Sequence, residues 1–540
     1  MKRIACALLL LLAVPAAACT NLLVTPGASA DGSAFITYTC DGVFHPILRQ
    51  RPGADHAPGD VQEVRHWNGD LHASIPWPAR SHTVTGLMNE HQVSVAETTF
   101  DGRPELHNPD EGLHYWNLMT LILQRAATAR EAVDVLIGLI ETHGYRSTGE
   151  SFSICDPREV WLVEMIGAGK GVKGAVWVAR RVPDGMISAH ANAARIGVFP
   201  TDEPKTTLYS DNIFDVAQAH GWWSPADGPL DFRAVYDPAN AQKRRYTATR
   251  VWSLFRRAAP SQADSFDPAY HRGDPDAERY PLWIRPDHKL ALADVMALMR
   301  DHYEGTDYDM TAGLDAGAFG CPNRWRPMAW ELDGETYSWE RPISTQQTGF
   351  SMIAQCRADL PDPVGGCQWY GVDDTATTVW FPLYAGVTAL PESYTRGSLG
   401  TFSWDSAWWV FNVVANYASL KYERMITDIR GAQQELEGRF LAMQPAVEQA
   451  AADLHRQDPE LAADYLTTYS TAAGERVAAR WRDLAGELFV KYNDGYVRGD
   501  DGAAEVGYPE GWLRAVVATR PERFLLRQAP ADSVTNDLPY

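Results

Sequence analysis

Short apolar runs alternate with turn-forming residues between Thr20 and about Leu390. The runs are rich in β-branched and aromatic residues, and Gly, Pro, Asp and Asn separate them. This pattern predicts β-strands. The strands predicted in this way cover residues 21–24, 33–39, 83–87 and 93–99. Residues 151–155 and 159–165 form a further predicted pair, a hairpin that turns at Asp156-Pro157-Arg158.

Helical spacing appears in two places within the same region. Residues 115–140 are rich in Leu, Ala and Ile, with apolar positions three and four apart, which predicts two amphipathic helices that meet near Thr128. Residues 246–257 predict another helix. Strands and helices that occur in blocks, rather than in strict alternation, favour a layered α+β fold.

The chain changes character at about Asp405, where helical spacing replaces the strand pattern. Pro445 and Pro459 are expected to divide this part into separate helices. We therefore predict three units: a leader at residues 1–18, an α+β domain at 19–404 and a helical C-terminal extension at 405–540 that packs on it. The apolar positions that indicate the helices are Tyr422, Met425, Ile426 and Ile429, and then Val477, Trp481, Leu484 and Leu488.

The leader has the composition of a secretory signal peptide. Lys2 and Arg3 precede an apolar run at residues 4–14, and Pro15 and three alanines follow before Cys19. The apolar run is short for a bilayer span, and no later stretch approaches the roughly 20 apolar residues that a membrane helix needs. We expect an exported protein, periplasmic or secreted, without a transmembrane segment.

Charge and cysteine usage narrow the possible partners. The chain has 48 basic and 69 acidic residues, a formal charge of −21, and no block of Lys or Arg, so nucleic acid is not an expected partner. No Cys-x-x-Cys or His-Glu-x-x-His spacing occurs, so we predict no metal. Export permits disulfides, but spacing leaves their pairing open among Cys40, Cys155, Cys321, Cys356 and Cys367.

Cys19 directly follows the predicted cleavage site and precedes the first predicted strand. Cleavage after Ala18 would place a thiol and an α-amine on the same residue, and the amine has an ordinary pKa of roughly 7.7 to 8.0. One residue would then supply both nucleophile and base for amide hydrolysis. The alternative is a lipoprotein in which Cys19 is a lipid anchor, although the preceding alanines lack the Leu usual at such sites.

A series of short motifs extends from residue 19 to about residue 425. Each motif is weak alone, but together, in this order, they are specific. They are Cys19-Thr20-Asn21, Ala30-Asp31-Gly32-Ser33, Gly86-Leu87-Met88-Asn89-Glu90, Ala96-Glu97-Thr98-Thr99, the segment from Trp177 to Gly185, His190-Ala191-Asn192, the segment from His302 to Thr306 with Tyr308-Asp309, and the segment from Ser406 to Asn412.

With these motifs the chain resembles the C69 dipeptidases, a family of N-terminal nucleophile hydrolases. The resemblance implies an αββα sandwich, hydrolysis of dipeptides and no cofactor. Related choloylglycine and penicillin acylases imply further roles. Asp41 would orient the terminal amine, Asn192 would donate to the oxyanion, Thr99 or its backbone amide would be a second donor, and Arg250 would support the site. Tyr38 stands where those acylases have arginine, which departs from their pattern.

Each of these residues also has a structural interpretation. Asp41-Gly42 is a good turn pair, Asn192 could cap a helix or form a turn, and Arg250 could be a solvated helix residue. We predict an exported cysteine-type dipeptidase that acts on small peptides through a thioester. The alternatives are an amidase or acylase acting on another linear amide, and a lipid-anchored binding protein.

Overall fold

A computed structural model describes residues 18–43, 46–66 and 69–526 of the chain. The predicted signal peptide lies outside the described residues except for Ala18, and so do the last residues of the predicted extension, 527–540. The described chain combines α-helices and β-strands in several sheets, which confirms the α+β prediction. No helix in these ranges has the length and apolar character needed to cross a membrane.

The strands fall into two large sheets and several small two-stranded ones. In chain order they are β1 (Ala18–Val24), β2 (Ala34–Asp41), β3 (Gln50–Arg51), β4 (Ala54–Asp55), β5 (Val61–Arg65), β6 (Leu71–Pro76), β7 (Arg80–Ser81), β8 (Val84–Thr85), β9 (Met88–Asn89), β10 (Ser94–Phe100), β11 (Gly149–Cys155), β12 (Val160–Gly167), β13 (Ala175–Arg181), β14 (Ile187–His190), β15 (Thr207–Tyr209), β16 (Trp283–Ile284), β17 (Ala329–Leu332), β18 (Glu335–Ser338), β19 (Thr348–Cys356), β20 (Cys367–Val372), β21 (Phe381–Tyr384), β22 (Val497–Gly499) and β23 (Gly502–Ala504).

Most of the α-helices lie between the strands, and three of them follow β21 in succession from Ala407 to Tyr492. In chain order they are α1 (Tyr115–Leu123), α2 (Ala129–His143), α3 (Ile213–Ala219), α4 (Phe232–Tyr236), α5 (Ala241–Ala258), α6 (Ala269–Arg272), α7 (Leu292–Leu298), α8 (Asp362–Gly365), α9 (Ala407–Ala418), α10 (Tyr422–Gln457), α11 (Pro459–Tyr492), α12 (Glu510–Thr519) and α13 (Pro521–Phe524).

The two large sheets are antiparallel and lie against each other. One has seven strands in the order β16-β14-β1-β2-β19-β20-β21, and the other has eight in the order β15-β13-β12-β11-β10-β9-β8-β3. Strands β1 and β2 of the first contact β10 and β11 of the second. Because successive side chains of a strand point to opposite faces, every second residue of β1 and β2 points into the space between the sheets.

Helices contact both large sheets. Helices α1 and α2 contact strands β10 to β13 of the eight-stranded sheet, where they form an apolar core with Ile154 and Trp161. Helices α9, α10 and α11 contact β20 or β21 of the seven-stranded sheet. The helices of the C-terminal part therefore pack on the seven-stranded sheet. The start of this part at residue 405 stays a prediction.

Two helices begin at residues that the sequence marks as helix starts, Thr128 and Pro459. The predicted junction near Thr128 is confirmed, because α1 ends at Leu123 and the Thr128 hydroxyl accepts the backbone N–H of Glu131 as the cap of α2. Pro459 begins α11 at its first turn, where its missing N–H costs nothing.

The prediction that Pro445 ends a helix is wrong. Helix α10 continues through it. Pro445 removes the hydrogen bond to the carbonyl of Leu441, a cost of about 3 kcal/mol. Buried Phe440 before it and buried Val447 after it share the core of the helical layer, and this packing offsets the cost.

The structure brings two cysteines close together, a proximity that sequence spacing could not predict. The thiol sulfurs of Cys155 on β11 and Cys356 on β19 lie 3.7 Å apart, so they face each other across the two sheets. All six cysteines of the described residues are free thiols.

Candidate active site

Cys19 is the second residue of β1, and its side chain points between the two large sheets. The register of β1 and β2 places it opposite Cys40. Its Sγ lies 3.6 Å from Oε1 of Glu97 on β10, and the residue is fully buried. In this chain Cys19 still follows Ala18, so its nitrogen is a peptide N–H.

Both backbone groups of Cys19 are held by side chains from distant segments. Its N–H donates to Oδ1 of Asn192 at 3.0 Å, and its carbonyl accepts from Nη1 of Arg250 at 2.6 Å. Arg250 also donates to Oγ1 of Thr20, the carbonyl of Ala191 and Oδ1 of Asn192. A guanidinium is suited to this task because its donors are fixed in one plane. Arg250 is therefore a buried support of strand β1 rather than a solvated helix residue.

Asn192 lies just after β14 with φ of 59°, in the left-handed region that Asn tolerates better than most residues. Its Oδ1 accepts from Cys19 and Arg250, and its Nδ2 donates to the carbonyl of Thr99 at 2.7 Å. The acceptor role toward Cys19 was not foreseen from the sequence. The predicted role as an oxyanion donor would use the other N–H of this amide and stays a prediction.

Asp41 closes β2, and the strand register places it opposite Ala18. Its carboxylate forms a buried ion pair with Arg341 and accepts from the hydroxyls of Thr348 at 2.6 Å and Thr39 at 3.1 Å. Burial raises the pKa of Asp41, and the charge of Arg341 opposes that rise. Within the described chain these are its hydrogen-bond partners, so its predicted contact with the amine of Cys19 stays a prediction.

Thr99 lies on β10 on the same side of the strand as Glu97. Its hydroxyl donates to Oε2 of Glu150 at 3.0 Å, and its carbonyl oxygen accepts from Asn192. The structure thus brings Thr99 to the site, with its side chain engaged by a carboxyl group. Its predicted role as a second oxyanion donor is untested.

Two buried carboxyl groups beside the thiol were missed by sequence reasoning. Glu97 accepts from the hydroxyl of Tyr38, which also contacts Sγ of Cys40, and Glu150 lies on the neighbouring strand β11. The signal available was a Glu in the middle of an apolar strand, within Ala96-Glu97-Thr98-Thr99. Arg341 was also missed, because no local pattern marks it.

Burial dominates the protonation of these groups. It raises the pKa of the Cys19 thiol well above the usual range, and the neighbouring Cys40 and the charge of Glu97 raise it further. Burial also raises the pKa of Glu97. The pKa of Glu150 is raised well above its usual range, first by burial and then by the charge of Glu97. The thiol is therefore protonated and needs a base before it can act as a nucleophile.

Within residues 18–43, 46–66 and 69–526, two groups of side chains have the spacing of metal ligands. Cys19, Cys40 and Glu97 bring their ligand atoms within 4.8 Å of one another, and so do His82, Glu90 and His91. Two thiolates and a carboxylate would suit a borderline-soft ion such as Zn²⁺. Because the first group contains the candidate nucleophile, a metal there would block the thiol, and the prediction of a metal-independent enzyme stays a prediction.

Comparison with known proteins places this chain in one family. The sequence model described as "Peptidase family C69" matches residues 75–435, which include Glu97, Glu150, Asn192, Arg250 and Arg341. The match begins after Cys19 and Asp41.

Curated relatives align over most of the chain. A "Probable dipeptidase" from Salmonella dublin is 26% identical over 413 residues, 71% of this chain and 84% of the relative. A "Probable dipeptidase" from Latilactobacillus sakei is 25% identical, covering 83% of this chain and 92% of the relative. "Dipeptidase A" from Lactobacillus helveticus is 23% identical, covering 75% and 82%. Because the family match covers more than half of its length, the chain belongs to peptidase family C69.

Proposed function

We propose that this protein is an exported dipeptidase in which cleavage after Ala18 makes Cys19 the amino-terminal nucleophile. The observation that carries the proposal is the way Cys19 is held. Asn192 binds its nitrogen and Arg250 binds its carbonyl, while its thiol is free of the backbone network and points between the sheets. A lipid anchor would need no such support, since it would have to leave the protein core.

The chemistry follows from putting a thiol and an amine on one residue. The neutral α-amine of Cys19 accepts the thiol proton, and Sγ attacks the carbonyl carbon of the peptide bond. The amine then returns the proton to the leaving nitrogen, which frees the second amino acid and leaves a thioester. Water, activated by the same amine, hydrolyses the thioester and restores the thiol. The raised pKa of the thiol makes this base necessary.

Two further features support an N-terminal nucleophile fold of the αββα type. Two antiparallel sheets lie against each other, and helices contact each of them. The candidate nucleophile lies on a strand with β14 and β2 on either side: Cys19 pairs with Cys40 of β2, and the pairing of β1 with β14 begins at Asn21. The dipeptidase names of the relatives supply the substrate class.

The test begins with the amino terminus of protein recovered from an exporting cell. Intact mass and N-terminal sequencing should show an unmodified chain that begins at Cys19. The purified enzyme should release amino acids from dipeptides in the presence of EDTA. Cys19→Ala should lower kcat at least about 10³-fold while the circular dichroism spectrum is retained. Cys19→Ser should be processed but slow.

Three outcomes would contradict the proposal. A diacylglycerol thioether on Cys19 would show that the residue is a lipid anchor. A chain that begins downstream of Cys19 would lack the nucleophile. An enzyme that EDTA inactivates and that tolerates Cys19→Ala would be a metallopeptidase.

A further inference from the structure

Glu97 and Glu150 form a buried acidic pair next to the candidate nucleophile. Oε1 of Glu97 is 3.6 Å from Sγ of Cys19, and both glutamates are at most 1% exposed. Oε1 of Glu150 accepts no hydrogen bond from a described residue. Two carboxyl groups buried side by side are costly unless a proton or a cation lies beside them, so this arrangement is expected where a cationic ligand binds.

The pair also lacks a cation in the part of the chain that the structure describes. Two other buried glutamates have one: Glu437 pairs with Arg300, and Glu448 pairs with Arg357. No nitrogen of a described Lys, Arg or His lies within 4.0 Å of either carboxyl group in the acidic pair. The described side chains therefore supply no counter-charge, and the α-amine of Cys19, which must be neutral to act as the proposed base, supplies none either.

Of the two carboxyl groups, Glu97 is the one that loses its proton first, because the pKa of Glu150 is raised further. Glu150 keeps its proton, because burial and the charge of Glu97 raise its pKa well above the usual range. A hydrogen bond from Glu150 and another from Tyr38 lower the pKa of Glu97 against the effect of burial. One carboxylate next to one carboxylic acid is matched by a single monovalent cation.

We propose that Glu97, supported by Glu150, binds the free α-ammonium group of the peptide substrate while Cys19 attacks the neighbouring carbonyl carbon. This inference rests on the proposed function, since it assumes that Cys19 is the nucleophile. It names the feature by which the enzyme recognises its substrate class, which is the free amine at the first residue.

The distances allow both contacts at once. In a reactive complex the carbonyl carbon lies about 3 to 3.5 Å from the attacking sulfur. The α-nitrogen of the same residue is two bonds from that carbon, about 2.5 Å away by standard bond lengths and angles. A carboxylate oxygen 3.6 Å from the sulfur is compatible with a hydrogen bond to that nitrogen in the same complex.

The acidic pair would make the enzyme selective against amides that lack the amine. An N-acyl amino acid would bury Glu97 without a counter-charge, which is unfavourable. Sites built to bind a polar substrate group reject analogues without it strongly. The acidic pair thus favours a peptidase that removes an amino-terminal residue over an amidase that acts on N-acyl amino acids.

The experiment compares two substrates of the same shape, alanyl-alanine and propionyl-alanine, which differ only in the α-amine. The mature wild-type enzyme should favour alanyl-alanine by at least about 100-fold in kcat/KM. Glu97→Gln should raise KM for alanyl-alanine and reduce this ratio to below about 5. Glu97→Asp, which keeps the charge on a shorter side chain, should retain part of the ratio.

Glu448→Gln is the matched control, since it neutralises a buried glutamate that pairs with Arg357 away from Cys19. It should leave the ratio within about twofold of wild type.

Each remaining result has its own meaning. If the wild type cleaves neither substrate, or Cys19→Ala stays active, the proposed function fails. If the wild type cleaves both through Cys19 at similar rates, only the amine site is overturned, and this measurement needs no variant to fold. If Glu97→Gln slows both substrates equally, Glu97 acts in proton transfer and not in amine binding. If Glu97→Gln and Glu97→Asp both keep the full ratio, Glu97 does not bind the amine.

Discussion

The two faces of strands β1 and β2 differ in whether a buried carboxyl group has a counter-charge. On the face turned away from the eight-stranded sheet, Asp41 pairs with Arg341, and Arg250 donates to the backbone around Cys19. On the face between the sheets, Glu97 and Glu150 lie beside the thiol without a cation among the residues described.

This difference separates support from recognition. On the outer face Asp41 and Arg341 compensate each other's charge, which suits a support for the backbone of the candidate nucleophile. On the inner face no cation of the described residues compensates the acidic pair, which suits the proposed binding of a substrate amine. Experiments that alter one face should therefore change stability, while those that alter the other should change substrate preference.

The largest expected effect is loss of stability when the outer ion pair is broken. Arg341→Met leaves Asp41 as a buried carboxylate without its counter-charge, and such changes cost about 3 to 5 kcal/mol. Asp41→Asn should lower stability and, as a neighbour of the amino terminus, activity as well. Urea denaturation measures the free energy of unfolding. The double variant Asp41→Asn with Arg341→Met should lose less than the sum of the two, and strict additivity would show that the pair is not coupled.

The second prediction separates the two ends of the Asn192 amide. Asn192→Ala should lower kcat about 10²- to 10³-fold with little change in KM, since removal of an oxyanion donor has that effect. Asn192→Asp keeps an oxygen that can accept from Cys19 and Arg250 but has no N–H. Steady-state kinetics then decides between the roles.

An Asn192→Asp enzyme as slow as Asn192→Ala would support the oxyanion role. Recovery of most of the rate in Asn192→Asp would show that the acceptor contact to the terminal amine dominates. Parental kcat/KM in Asn192→Ala would remove the residue from both roles.

The sequence predicted what local patterns encode. Thr128 and Pro459 marked helix ends because caps and prolines act within one turn. Short apolar runs between turn-forming residues predicted β2 and β10, the strands that carry Asp41 and Thr99. The prediction that a helix ends at Pro445 was wrong because the packing of α10 against the rest of the protein outweighs the local preference of proline.

The inner face was not predictable in the same way. Glu97 and Glu150 are far apart in sequence and meet only because β10 and β11 pair in a register that places Thr99 opposite Glu150. Arg341 reaches Asp41 from a connecting segment that follows β18. Nothing near any of these residues in the chain indicates its partner, so the contacts depend on the assembled sheets.

The third prediction concerns Glu164, a buried carboxyl group on β12 that accepts two backbone N–H groups, from Arg195 and Ile196. Burial raises its pKa to about 7, against a usual value of 4.5. The folded state therefore holds a proton that the unfolded state loses above about pH 4.5. Its contribution is fully present below that pH and is lost as the pH rises to about 7, a change of up to roughly 3 kcal/mol.

Urea denaturation of wild type and Glu164→Gln at several values between pH 4.5 and 7.5 measures this term. The difference in unfolding free energy between the two should shift in favour of the variant as the pH rises. A difference that is constant across this range would show that Glu164 does not titrate there, and that its two N–H donors hold it ionised.

The smallest effect is expected for Thr99 on β10, which contacts both Glu150 and Asn192. Thr99→Val removes the hydroxyl that donates to Glu150 and keeps the backbone carbonyl that accepts from Asn192. One lost hydrogen bond to a buried acceptor should lower the free energy of unfolding by about 1 kcal/mol. Because the hydroxyl serves the acidic pair, KM for alanyl-alanine should rise a few-fold while kcat changes little. Thr99→Ser, which keeps the hydroxyl, should retain the parental KM. A hundredfold fall in kcat for Thr99→Val, restored by Thr99→Ser, would instead identify the hydroxyl as the second oxyanion donor.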